Sequence, residues 1–296
     1  MSEVPRPPGS VHLPEVRFHG GTVRVDYGTS LCIVGELTLQ EGLAKVSAAG
    51  FKQVELSSWD TPVGVWRHEV ELARRLLEAA GLTARSAHVP SSGWDCDAPD
   101  EATRLASIEA ASSIFRPAAE LGVRVVVCHA NAPYSHGFTD EDYEASVARS
   151  VASLRALAER AADAGLALAV ENLPLRHAPR PSGSVEELFR MIDGLGDHVG
   201  ICLDAGHANA NGRSAAEEAR IAGERLFAVH LADNDGLGED QHLIPGDGTT
   251  DWDALLTALD EVAPECVRNF EVPYVEGEVD ERLRRLAELR RRWEAR

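Results

Sequence analysis

The sequence predicts an α/β chain folded as a single closed (β/α)8 barrel, a TIM barrel, and three observations carry that expectation. Short β-type apolar runs alternate with amphipathic helical stretches eight times, and strict alternation calls for a parallel sheet. The chain of 296 residues is 44% hydrophobic, enough for one core of barrel size. No GxGxxG follows the first run, which argues against an open dinucleotide-binding sheet.

Residues 1–28 are expected to form an N-terminal extension, with the catalytic barrel over 29–296. The first four strands are expected at 30–34, 53–56, 83–89 and 124–128, and the last four from Ala167, Val199, Leu226 and Val267 onward. Helix starts are marked by S/T-x-x-E pairs, Thr38 with Glu41, Ser184 with Glu187 and Ser214 with Glu217, read as reciprocal caps of orphan backbone N–H groups. Core-facing stripes follow at Tyr143, Val147, Val151 and Leu154 and at Trp252, Leu255, Leu256 and Leu259, spaced for one helix face.

Composition narrows the function classes. The 48 acidic against 29 basic residues give a formal charge of −19, and Lys45 and Lys52 are the only lysines, so tracking of a nucleic-acid backbone is disfavoured. The five cysteines, Cys32, Cys96, Cys128, Cys202 and Cys266, include no CxxC and read as reduced thiols. No stretch has the length of a membrane span and no signal-type apolar segment opens the chain, so a soluble, cytoplasmic protein is expected.

Chemistry gathers where the apolar runs end. In a (β/α)8 barrel the strand C-termini converge on one mouth, and Glu171, Asp204, His230 and Glu271 each end one of the last four runs. Any one of them alone reads equally well as a helix cap or a surface ion pair. Four at equivalent positions read as one mixed N/O site for a divalent metal, Mn, Mg, Co or Zn, since no thiolate is offered. Glu55, His88 and His129 end earlier runs and point to the same mouth. His207, three residues past Asp204 across Gly206, can reach it, and Asp240 and His242 in the acidic, glycine-rich loop 233–248 are candidate extra ligands. Arg176 and Arg180 lie beside Glu171 as a candidate clamp for an anionic group, and Trp59, Trp66 and Trp94 follow strands two and three, where an aromatic face could stack on a sugar ring.

These residues resemble the sugar phosphate isomerase and epimerase superfamily with the xylose isomerase-like barrel, which also contains the apurinic endonucleases of the endonuclease-four type. The resemblance runs from Val54-Glu55-Leu56 through Glu171-Asn172, Asp204-x-x-His207, His230-x-x-Asp233 and Gly246-x-Gly248 with Asp251-Trp252 to Glu271. It implies an enzyme of carbohydrate metabolism acting on a small sugar, sugar phosphate, polyol or hydroxy-ketone. Glu171, Asp204, His230 and Glu271 would hold one metal, the two glutamates would double as acid and base, and His207 would orient substrate or metal.

The endonuclease branch implies instead two or three zinc ions held by His88, His129, Glu171, Asp204, His207, His230, Asp240, His242 and Glu271, and hydrolysis of a phosphate ester. A lyase of the 3-dehydroshikimate dehydratase type and a non-enzymatic sugar-binding protein complete the alternatives. Asn234 and Asp235 stand where many sugar epimerases carry a basic substrate-binding residue, which argues against an ordinary ketohexose. Related proteins are often dimers or tetramers, so the resemblance implies a homodimer or homotetramer, although the sequence offers no readable interface.

Overall fold

The computed structural model describes residues 26–131, 140–175 and 180–296. Eight parallel strands close into a barrel in sequence order: β1 Tyr27–Ser30, β2 Gln53–Ser57, β3 Thr83–His88, β4 Val125–His129, β5 Ala167–Glu171, β6 Val199–Asp204, β7 Leu226–Leu231 and β8 Val267–Phe270. Between them lie α1 Leu39–Ala48, α2 Val70–Ala80, α3 Glu101–Ser112, α4 Phe115–Glu120, α5 Asp140–Asp163, α6 Val185–Ile192, α7 Ala205–Ala210, α8 Ala215–Ala222 and α9 Trp252–Val262, with α10 Val279–Trp293 closing the ring. The expected single (β/α)8 barrel is the observed one. No helix among the described residues is long and apolar enough to cross a membrane.

The period of two along each strand decides what faces the barrel axis. Outward residues such as Val54, Leu56, Val126, Leu168, Ile201 and Val229 belong to the main core with the helices. Inward residues Val125, Val127, Ala169, Cys202 and Ala228 form a separate small apolar cluster. Parallel register then sets polar residues side by side at one end, with His129 opposite Glu171, Asp204 opposite His230 and Ser57 opposite His88.

Three local expectations are corrected. The first strand is Tyr27–Ser30, and the apolar run expected to be strand is a buried 3-10 turn, Leu31–Val34, capped by the Ser30 hydroxyl. Apolarity there reports burial, which a strand and a short helical turn demand equally. The helix α5 buries Ser146, Ser150 and Ser153 with Leu154, while Tyr143 and Val147 are only half-buried and Val151, half-buried too, packs against the core as expected. The serines face a polar loop: Ser146 donates to Asp97 Oδ2 at 2.8 Å and Ser153 to the Cys96 carbonyl at 2.7 Å.

The third concerns the caps. Thr38 and Glu41 form a full capping box, whereas Ser184 and Ser214 accept from the N3 backbone without the reciprocal bond. The α9 stripe is as expected, with Leu255, Leu256 and Leu259 fully buried. All five cysteines are free thiols. The expected N-terminal extension lies almost wholly outside the described residues.

Candidate metal centre

Four consecutive strand ends build the centre. Glu171 ends β5, Asp204 ends β6, His230 is the penultimate residue of β7 and Glu271 directly follows β8. One donor atom from each lies within 4.8 Å of the others. His230 Nδ1 sits between the two glutamates, 3.1 Å from Glu171 Oε1 and 3.0 Å from Glu271 Oε2. Glu171 and His230 are almost completely buried, and Glu271 is 14% exposed.

Asp204 turns out to be both a helix cap and a candidate ligand. Its Oδ1 accepts from the His207 N–H at 2.6 Å and so caps α7, while its buried Oδ2 has no hydrogen-bond partner. Asn172 fixes the strand end beneath it, its amide bonding both ways to the Asp204 backbone at 2.7 and 3.1 Å. A buried carboxylate oxygen left unpaired is costly, and a cation among the four donors would satisfy it. Three carboxylates with one imidazole fit a divalent metal of the Mn, Mg, Co or Zn type.

A second tier of histidines surrounds this quartet. His88 Nδ1 is 2.7 Å from the Val89 carbonyl, which only accepts, so Nδ1 carries the hydrogen and Nε2 faces Glu171 Oε2 at 3.0 Å. His207 repeats the pattern, with Nδ1 against the Asn172 carbonyl at 2.8 Å and Nε2 3.2 Å from Asp240 Oδ2. His129 Nε2 lies 3.5 Å from Glu171 Oε2, and His242 bridges Asp240 at 2.8 Å and Glu271 at 3.6 Å. Two further ligand-like groups overlap the quartet, His88 with Glu171 and His230, and Asp204 with His207 and His242.

The field at the mouth is strongly negative, and the imidazoles respond to it. Burial alone would depress His88, but the Glu171 carboxylate outweighs it and pushes the ring up to about 9. Burial also opposes the charged form of His207, yet Asp204 and Asp240 carry it up to about 10. His129, where burial dominates, falls to about 4, and burial raises the Asp204 carboxyl to about 6. Glu171 and Glu271 move the other way: burial opposes their ionisation, and His230 nevertheless holds both below the usual carboxylate range. Groups perturbed this strongly in one cleft mark a functional site.

A model of the xylose isomerase-like TIM barrel family matches residues 43–292. The chain belongs to this family. Its relatives include sugar epimerases and isomerases. The D-psicose 3-epimerase of Enterocloster bolteae is 28% identical over 226 residues, 74% of this chain and 71% of the epimerase. The inosose isomerase of Bacillus velezensis is 27% identical over 110 residues, 34% of this chain and 39% of the isomerase. Among solved structures, a D-tagatose 3-epimerase-like protein superposes with a TM-score of 0.78 at 21% identity, over 90% of this chain and 97% of that one. At that identity the likeness shows the family's fold.

The loop from β7 to α9, which carries the acidic and glycine-rich stretch, is folded around Asp233. Its Oδ2 accepts from Gly246 N at 2.8 Å, Gly248 N at 3.2 Å and the Trp252 indole at 2.9 Å, and its Oδ1 from Asn234 N and Thr250 N. Gly248 is required by space, since a Cβ there would lie 2.1 Å from the Asn234 carbonyl oxygen. The loop presents His242 at φ 46°, the one non-glycine positive φ among the described residues, a strained conformation of the kind found at functional sites.

Asp233→Asn is expected to destabilise the protein by about 2 to 4 kcal/mol at pH 7, because an amide nitrogen in place of Oδ2 would face three donors. Burial opposes ionisation of Asp233, but the bonds from Trp252, Gly246 and Thr250 hold it below the usual range. Its contribution is therefore present above the unfolded value near pH ~4 and is lost as pH falls through the folded value. Urea melts of wild type and variant from pH 7 down to 3 check this, with the difference expected to shrink on acidification.

The mouth is a cavity of 210 Å3 whose walls include Ser30, Ser57, Trp59, Ser91 and Arg180 together with Glu171, His207, Asp240, His242 and Glu271. Trp59 and Arg180 thus stand where a ligand would contact them. Trp94 and Trp66 do not: both are fully buried, and their indoles donate to the His129 and Ser57 carbonyls at 2.8 Å, so they hold strand ends instead of facing a sugar. Glu55 is likewise absent from the wall and lies under His230. Arg176 falls outside the described residues. The rim serines escaped sequence reasoning, and Asn172 entered it only within the Glu171-Asn172 motif and without a role, because serine and asparagine after a strand are ordinary turn residues.

Proposed function

We propose that this protein is a divalent-metal-dependent isomerase or epimerase of a small sugar, sugar phosphate, polyol or hydroxy-ketone. The observation that carries the reading is the convergence of Glu171, Asp204, His230 and Glu271 within 4.8 Å, with Asp204 Oδ2 buried and unpartnered. Family membership and the sugar epimerases among the relatives support it. The cavity, at 210 Å3, falls below the roughly 300 Å3 at which drug-sized pockets begin, which favours a small substrate.

A divalent cation bound there would supply Lewis-acid polarisation of a carbonyl and its neighbouring hydroxyl. Glu171 and Glu271 do the proton work: one carboxylate removes the proton from the hydroxyl-bearing carbon next to the carbonyl as the electron pair shifts to the carbonyl oxygen. The other returns a proton to the opposite face or the adjacent carbon, drawing it from its neighbouring histidine. His88 beside Glu171 and His242 beside Glu271 are placed to exchange protons with them. Arg180 binds an anionic substituent where the substrate carries one, and the Trp59 ring covers a sugar face. Turnover in deuterium oxide is expected to leave deuterium on the inverted or isomerised carbon; product formed without deuterium would sink the proton-transfer reading.

A second reading, a multinuclear zinc phosphoesterase, is favoured by the overlap of three ligand groups in one mouth. Metal analysis separates the two. About one ion per chain supports the isomerase, and two or three support the hydrolase.

A further inference from the structure

Beneath the mouth, inside the barrel, runs a polar tier of which the proposed chemistry uses only His230. Glu55, Ser86, His230 and Asn269 are all 0% exposed. His230 Nε2, on the side of the ring away from Glu171 and Glu271, lies 3.2 Å from Glu55 Oε2 and 3.2 Å from Oε1. Ser86 donates to Glu55 Oε2 at 2.8 Å, and the Asn269 amide donates to Ser86 Oγ at 2.9 Å and to the same Oε2 at 3.4 Å.

The tier is built by three separate strand features. A register shift in the β2–β3 ladder, with Val54 opposite Ala84 and Glu55 opposite Ser86, places the extra residue on β3 and sets Ser86 beside the glutamate, as bulges re-aim side chains. Gly28 on β1 makes room for Asn269, since a Cβ there would lie 2.4 Å from its Oδ1. The remaining inward residues at neighbouring strands, among them Ala169 and Ala228, offer only apolar surface. The Cys202 thiol next to His230 is a weak acceptor, and burial raises it further from ionisation.

We propose that Glu55 is a positioning residue for the metal centre, holding His230 with its hydrogen on Nε2 so that the Nδ1 lone pair faces the cation between Glu171 and Glu271. The inference rests on the metal-centre reading above. A carboxylate is suited to this because it only accepts: facing Nε2, it requires that nitrogen to be the donor and leaves Nδ1 bare. A glutamine of the same shape can rotate to offer its NH2 to Nε2, which moves the ring hydrogen to Nδ1, where it blocks ligation. Burial of an acid in the barrel interior, otherwise unfavourable, is then explained by its partner's task. Ser86 and Asn269 hold the carboxylate in orientation from behind.

The test is metal affinity of the full chain, stripped of metal and titrated with Zn2+ or Mn2+ against a chromophoric chelator. Glu55→Gln is expected to weaken binding 10 to 100-fold and Ser86→Ala by less, with the metal-free thermal midpoint of Glu55→Gln unchanged or raised. A merely structural Glu55 would lower that midpoint and leave the affinity alone; affinity within 2-fold of wild type overturns the proposal. A second measurement needs no variant: 15N shifts of His230 in the zinc-loaded wild type should report hydrogen on Nε2, and hydrogen on Nδ1 overturns it equally. Wild type that binds neither ion overturns the metal-centre reading and this inference with it, whereas tight wild-type binding with an unaltered variant overturns only the role of Glu55.

Discussion

Glu171→Gln and Glu271→Gln are each expected to lower kcat by about 10²- to 10⁴-fold, measured at saturating metal so that a weakened site is not mistaken for lost chemistry. Both carboxylates touch His230, both are held in the ionised form, and each has its own neighbouring histidine. Neither duplicates the other, so the single variants should be about as impaired as the double, the behaviour of groups that act as one unit. A variant that turns over within 10-fold of wild type with its metal bound would remove that glutamate from the proton path. A non-enzymatic sugar-binding protein would show the opposite signature, ligand affinity preserved in both variants with no turnover to lose.

Stripping the metal is expected to abolish turnover and to lower the thermal midpoint by about 5 °C relative to protein held at 100 times Kd, a difference of about 2.7 kcal/mol for a chain of this size. The reason is the charge left behind. Without a cation, Asp204 Oδ2 stays buried and unpaired and three carboxylates crowd one imidazole within 4.8 Å. Addition of Mn2+, Mg2+, Co2+ or Zn2+ to the stripped protein should restore both midpoint and activity, with the preferred ion read from which restores them at the lowest concentration. Equal midpoints with and without every ion would contradict a metal centre at these residues.

The quartet was legible in the sequence because each member ends an apolar run, and parallel strands of a closed barrel can only bring such ends to one face. His88 and His129 were legible for the same reason. Glu55 was read as ending a run too, yet β2 continues through Ser57, so Glu55 faces inward one position below the cavity wall, where Ser57 stands, and the apolar pattern does not mark that extension. Trp94 was misread because an aromatic residue after a strand satisfies either a ligand or a backbone carbonyl, and here it serves the His129 carbonyl. The strand β1 was displaced by the apolar turn that follows it.

The sequence by itself determined the eightfold alternation, the end of the barrel that carries the chemistry and the residue types available there, because these follow from periodicity and from chain order. Only the tertiary structure decided which side of each ligand faces which partner: Asp204 dividing its two oxygens between a helix cap and the centre, His230 meeting Glu55 behind and two glutamates in front, and Asp233 gathering the loop that delivers His242. Those choices are contacts between residues far apart in the chain, set by register, bulges and the room that glycines leave, and no local pattern encodes them.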